Sequence, residues 1–173
     1  MIILLTLSSV LGVRAQENLL KLNADFELGT MKGWSVFGED KEKVSVCSEA
    51  ANNSKFGLKL SMGETRCKLY TSTPDKVVFK VESGKKYSLE FMMKVITKGG
   101  AVQLTIYHVA GFKKENPFVL KTKKTDNLPV GEWTTFKYEF DGVDIPEAKF
   151  MLEFVKGEYF VDDVKLSEVK QVK

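Results

Sequence analysis

The chain has 173 residues, 43% of them apolar and 28% charged, with a net charge of +3. That length suits one domain with a proper core and is too short for two ordinary ones. Its basic residues are scattered, and Arg14 and Arg66 are the only arginines. This argues against nucleic acid as the main partner, because phosphate recognition needs clustered, forked cations.

Met1 to Ala15 reads as a signal peptide. Ile2 to Val13 is an apolar core broken by small residues, and Val13-Arg14-Ala15 places small or medium side chains where a signal peptidase reads. The apolar run is shorter than the ~20 residues that a bilayer-crossing helix needs. No second hydrophobic span follows. The expectation is a secreted protein, periplasmic or extracellular, without a membrane span, whose single domain covers residues 16–173.

Beyond the leader the chain breaks into short alternating stretches. Trp34 to Phe37 follows Gly33, Val44 to Cys47 alternates, and Gly57 to Ser61 alternates again. Arg66 to Ser72 and Val77 to Val81 are the next two. Lys86 to Lys94 carries the clearest period of two, with Tyr87, Leu89, Phe91 and Met93 as its apolar set. Val102 to Tyr107 repeats the pattern, with Gln103, Thr105 and Tyr107 on the polar side. Phe118 to Lys121, Thr134 to Phe140, Lys149 to Val155 and a last stretch after Gly157 complete the set. No segment shows a helix-length period near 3.6. About ten short strands punctuated by turn residues predict one all-β domain, an antiparallel two-sheet β-sandwich.

Two acidic clusters stand out. The last strand alternates as far as Val161 and then sets Asp162 and Asp163 side by side, although Asp is disfavoured in strands. Near the other end, Leu22 to Gly29 contains Asp25 and Glu27. If the chain ends meet, these oxygens could hold a hard cation; a solvated edge or bulge is the alternative. Cys47 and Cys67 fall in strand-like stretches, and an oxidising compartment would favour a disulfide between them, two buried thiols being the other reading. With two Cys and the single His108, the usual zinc ligand set is missing.

At this point the chain resembles the jelly-roll carbohydrate-binding modules of families four, nine and twenty-two. The matching pieces are Asn23 to Glu27, the Trp after Gly33, Asn53 to Leu60, Gly84 to Phe91, Gly131 to Thr134, and Tyr159 to Leu166. The resemblance implies a jelly roll with a structural calcium (Ca2+) where the chain ends meet. It would place that ion on Glu27, an oxygen near Asp25, a loop oxygen around Asn53 to Lys55, and one Asp of the final pair, Asp162 being preferred.

It also implies a non-catalytic binder of poly- or oligosaccharide, the groove lying on the outward face of one sheet. Aromatic rings would lie against pyranose faces, with amides and carboxylates beside them for hydroxyls. Tyr70 and Tyr107 are the expected rings, Gln103 and Glu153 their polar partners, and Glu90 and Met92 further outward positions. Trp133 is read as packing beside a turn, Trp34 as core or loop-tip, and His108 as a candidate contact.

Two other classes remain open from sequence. One is an extracellular interaction protein that uses the same fold to bind another protein or serves structurally; a flat charged face would favour it. The other is a glycosidase, which would require Glu90 and Glu153 to oppose each other across a cleft.

Overall fold

The computed structural model describes residues 17–20, 23–38, 41–71, 79–111 and 118–170. The expected leader, the start of the strand expected at Val77, and most of the loop expected at 111–116 lie outside them. Nine strands follow in order: β1 (Trp34–Gly38), β2 (Val44–Cys47), β3 (Gly57–Thr71), β4 (Phe79–Val81), β5 (Lys86–Thr97), β6 (Ala101–His108), β7 (Phe118–Lys124), β8 (Trp133–Asp141) and β9 (Ile145–Val169). Helix is confined, among the described residues, to two single 3-10 turns at Lys41–Lys43 and Ser48–Ala50.

Two strands are much longer than the sequence pattern implies. Gly57 to Ser61 and Arg66 to Thr71 are halves of the one strand β3, and the segments on either side of Gly157 are halves of β9. In each, a glycine lies at the break between the two stretches and is a kink within one strand. Gly63 and Gly157 both have positive φ, and they are register partners across the β3–β9 pair. Both strands therefore bend at the same level and pass together from one sheet into the other. The first sheet runs β2–β3–β9–β5–β8 and uses the early half of β3 with the late half of β9. The second runs β1–β3–β9–β6–β7 and uses the opposite halves, with β4 beside the start of β9.

The inward sets of both sheets form one core, because alternate residues of a strand point to opposite faces. Tyr87, Leu89, Phe91 and Met93 of β5 meet Val102, Leu104 and Ile106 of β6 and Phe150, Leu152 and Phe154 of β9, all essentially buried. Stacked pairs Tyr87–Phe140 and Phe91–Phe136 fasten β5 to β8. Between the sheets, the Tyr138 hydroxyl of β8 donates to the Val102 carbonyl of β6. Burial raises the Tyr138 pKa, so the hydroxyl stays protonated and remains a donor.

The chain ends do meet. Asn18 straps the end of β9 by donating from Nδ2 to the Val164 carbonyl, 2.9 Å, and accepting at Oδ1 from the Leu166 amide, 3.1 Å. Leu19 N–H donates to the Leu166 carbonyl at 2.7 Å, and Val164 N–H donates to the Ala24 carbonyl at 2.9 Å.

The expected Cys47–Cys67 disulfide is not formed, and both residues are thiols. Cys47 stands opposite Gly57 near the start of β3 in the first sheet. Cys67 lies past the Gly63 kink, opposite Gly38 in the second sheet, with its side chain in the core. A disulfide needs Cα atoms within ~7 Å, which strand neighbours could offer but this placement does not.

The kink makes a stability prediction. A Cβ at Gly157 would sit 2.8 Å from the Thr97 carbonyl oxygen, on a backbone of φ +84. Gly157→Ala is expected to lower unfolding free energy by about 2 kcal/mol or more, measured by urea denaturation. At Gly63, where nothing lies within 4 Å of the added Cβ, only the φ penalty of about 1 kcal/mol applies.

Candidate functional site

The outward face of the second sheet follows from its register. Three cross-strand rows define it: Phe37, Lys68, Glu153, Gln103 and Thr122; then Ser35, Tyr70, Met151, Thr105 and Leu120; then Lys149, Tyr107 and Phe118. Four of the expected ligand residues, Tyr70, Tyr107, Gln103 and Glu153, are brought together here.

This face is recessed. Residues on the open side of a sheet are ordinarily exposed, yet Met151, Glu153 and Thr105 are only 5%, 7% and 3% accessible. Flanking side chains therefore rise above them, and the central strands form a floor. The two tyrosines stand beside that floor, both half-buried. Burial is the main cause raising the pKa of each. Glu153 adds to the shift at Tyr70, and Tyr70 adds to the shift at Tyr107, so the three groups share one field. Both phenols are neutral donors and acceptors at physiological pH.

Polar groups on the floor are incompletely engaged. Glu153 takes one long contact from Arg66 Nη1 at 3.5 Å, and Gln103 Oε1 accepts from Thr122 Oγ1 at 3.3 Å. The Thr105 hydroxyl is buried and has no hydrogen-bond partner. A buried hydroxyl without a partner costs roughly 1–3 kcal/mol.

Three side chains of this face escaped the sequence reading. Phe37, Phe118 and Leu120 are exposed apolar residues at its two edges. Parity held the clue: Phe37 must point away from the side taken by Trp34 and Val36, as Phe118 and Leu120 must from Val119.

Glu90 and Met92, by contrast, belong elsewhere. They lie on the outward face of the first sheet, Glu90 beside Lys137 and Lys165, Met92 beside Thr135 and Asp162. Strand parity assigns a side chain to one side of its own sheet and is silent on which sheet that is. Glu90 is held ionised by the Lys137 ammonium 3.0 Å away. With the core between them, Glu90 and Glu153 cannot face each other across a cleft, and the carboxylate pair that glycoside hydrolysis would need is not made by these two.

The remaining expectations resolve simply. Trp34 is core, stacked on Phe26 and edge-on to Phe150, its Nε1 donating to the Asn23 carbonyl at 2.9 Å. Trp133 packs on the first sheet's outer side under the Lys94 ammonium, which also covers Phe160. His108 closes a local turn by accepting from the Ala110 amide at 3.0 Å.

At the end of the molecule where the N-terminal segment and β9 meet, Asp163 feels the charges of Asp162, Asp25 and Glu27. Asp162 is wholly buried. Its Oδ2 accepts from Asn52 N–H (2.9 Å) and the Ser54 hydroxyl (2.8 Å), and its Oδ1 accepts from Asp163 N–H (2.8 Å). Glu27 Oε1 accepts from the Lys55 and Phe56 amides, each at 3.0 Å, and the Phe56 bond is the main cause holding its pKa down. Asn53, at the tip of that loop, has positive φ. The Asp pair occupies a bulge: register slips between Glu90 and Met92 opposite Asp162–Lys165, and Asp163 has φ +53. The slip lets Val161 and Val164 both point inward.

The donor set suits a hard cation, being oxygen throughout. Among the described residues no three His, Cys, Asp or Glu side chains group closely enough to hold an ion by themselves. A cation here would lean on backbone carbonyls or water as well.

Residues 18–154 match the family described as carbohydrate binding domain, and the chain belongs to that family. Similar solved structures share the fold. They include the family 16 carbohydrate-binding module-2 (TM-score 0.60, 21% identity, 87% of this chain and 99% of that one). A second is the CBM22-1 xylan-binding domain of Paenibacillus barcinonensis Xyn10C (TM-score 0.57, 19% identity, 92% and 99%). A third is a CBM4 structure (TM-score 0.52, 14% identity, 85% and 98%). No curated protein sequence matches the chain. Among the described residues no helix is long and apolar enough to cross a membrane.

The acidic end predicts a pH effect. Burial first, then the charges of Asp162, Asp25 and Glu27, raises the Asp163 pKa. A carboxyl raised on folding contributes most below its unfolded value of about 3.9, and that contribution is lost as pH rises through the folded value. In chelator, Asp163→Asn is expected to stabilise the protein increasingly as pH climbs above about 4. Thermal melts of both proteins between acid and neutral pH check this; parallel curves would contradict it.

Proposed function

We propose that this chain is a secreted, non-catalytic module that binds poly- or oligosaccharide on the outward face of its second sheet. Tyr70 and Tyr107 would lie against the apolar faces of sugar rings. Glu153, Gln103 and the Thr105 hydroxyl would bond the sugar hydroxyls. The observation that carries this reading is the recessed floor of Met151, Glu153 and Thr105 with two tyrosines at its border. A flat, fully solvated sheet would lack that recess. Family membership supports the saccharide class, and the apolar stretch at residues 2–13 supports export.

Isothermal titration against xylan, β-glucan and other polysaccharides tests it, with Tyr70→Ala, Tyr107→Ala as the paired variant. Loss of each ring is expected to weaken binding about tenfold, or about 1.4 kcal/mol. Binding unchanged in a folded double variant would move the site. No binding to any glycan would favour the extracellular interaction protein in its place.

The same reading includes a structural calcium at the acidic end, with Glu27 and Asp162 as carboxylate ligands and oxygens at Asp25 and Asn53 completing the set. What supports it is the convergence of carboxylates whose mutual repulsion and burial a cation would offset. Calcium is expected to raise the melting temperature over that in chelator, and Glu27→Gln to shrink the rise. Coincident melts would remove calcium from the proposal.

A further inference from the structure

The two outward faces differ in how their cations are used. On the first sheet most lysines are matched. Lys137 bridges Glu90 and Glu139 at 3.0 and 2.8 Å, Lys59 meets Glu49 at 2.7 Å, and Lys86 lies 3.7 Å from Asp141. Lys94 is spent on Trp133 and Phe160.

On the second sheet the register puts Arg66, Lys68, Lys124 and Lys149 on the open side. Among the described residues Lys68, Lys124 and Lys149 make no ion pair, and Arg66 has only its 3.5 Å contact to Glu153 while its side chain stays 70% exposed. Glu153 is the one carboxylate within these rows. Glu147 lies just beyond the last β6–β9 pair, and Glu64 is taken up by Lys156 at 2.5 Å.

The cations also bracket the floor. Arg66, Val155, Ala101 and Lys124 form one cross-strand row, about 14 Å from end to end at normal strand spacing. Lys149 stands beside Tyr107 at the opposite side of the tyrosines. Arg66 and Lys68 further line a cleft of about 710 Å³ with Phe37, Val155 and the Glu64–Lys156 ion pair. An apolar ring wall next to an exposed guanidinium suits a sugar ring that carries a carboxylate, since Arg binds carboxylates through a two-pronged contact.

We propose that the groove selects acidic glycans, specifically polysaccharides bearing uronate carboxylates, which Arg66 and Lys68 would bind while the tyrosines hold the rings. This rests on the glycan reading above and names its ligand class. Uncompensated cations beside a partly enclosed face attract an anionic chain and penalise a neutral one that leaves them unpaired.

The experiment measures binding of the full chain to polygalacturonate, alginate and glucuronoxylan, each beside its carboxyl-reduced, neutral form. At least one acidic form is expected to bind about tenfold tighter than its reduced partner, with affinity falling as salt rises. Arg66→Gln/Lys68→Gln should lower affinity for the acidic form to that for the reduced form and so remove the preference, and a circular dichroism melt verifies folding. Equal affinity for acidic and reduced forms, lost with the tyrosines, would overturn the acidic preference and keep the glycan reading. Dextran sulfate or polyglutamate binding as tightly as the uronates, without regard to the tyrosines, would also overturn it, as plain polyanion attraction. Absence of binding to every glycan, acidic or neutral, would remove both.

Discussion

Everything in this molecule hangs on two strands bending together. β3 and β9 are hydrogen-bonded neighbours in both sheets, and they change sheet at the paired glycines Gly63 and Gly157. One bent strand alone would leave its partner's carbonyls and amides unpaired in the core, and such groups are expensive to bury. Bending at the same level, with a register slip on either side of the glycine pair, keeps the ladder on both sides of the corner. The two sheets then share a common centre, and the core closes over a covalent frame that neither sheet could slide against.

That frame decides where function can sit. The late half of β9 carries the acidic bulge, and the early half carries Met151 and Glu153, so one strand serves both the strapped end and the tyrosine-bordered face. The two regions lie on opposite sides of the kink. The first sheet's outer face is occupied by lysine–carboxylate pairs and by Phe160 under two ammonium groups. Such pairs are worth little individually at a surface, but they leave few groups open to a ligand. The second sheet's face keeps its polar and cationic groups open, and two tyrosines border it.

Fold class was legible because period-two patterning is strong in β5, β6 and β8, whose alternate residues fill the core. Individual strands of β3 and β9 were not, because glycine has the same local signature at a kink as at a turn. The recessed face came half into view. Tyr70, Gln103, Tyr107 and Glu153 share a face through pairings that parity could anticipate. Glu90 and Met92 were grouped with them wrongly, since sheet membership is set by long-range pairing that no local window contains. The disulfide failed for a related reason: Cys47 is on β2, beside the start of β3, whereas Cys67 is on β3 itself, past its bend. At the acidic end, the pairing of Asp162 with Asp163 signalled something other than a plain strand, and the bulge with its left-handed Asp163 accounts for it.

The placement of the two tryptophans has a spectroscopic corollary. Trp34 is sealed in the core between Phe26 and Phe150, and Trp133 sits under Lys94 on the first sheet's outer side. Neither indole borders the tyrosine-lined groove. Intrinsic tryptophan emission therefore reports the integrity of the sandwich while staying blind to occupancy of that groove, whose own chromophores are phenols.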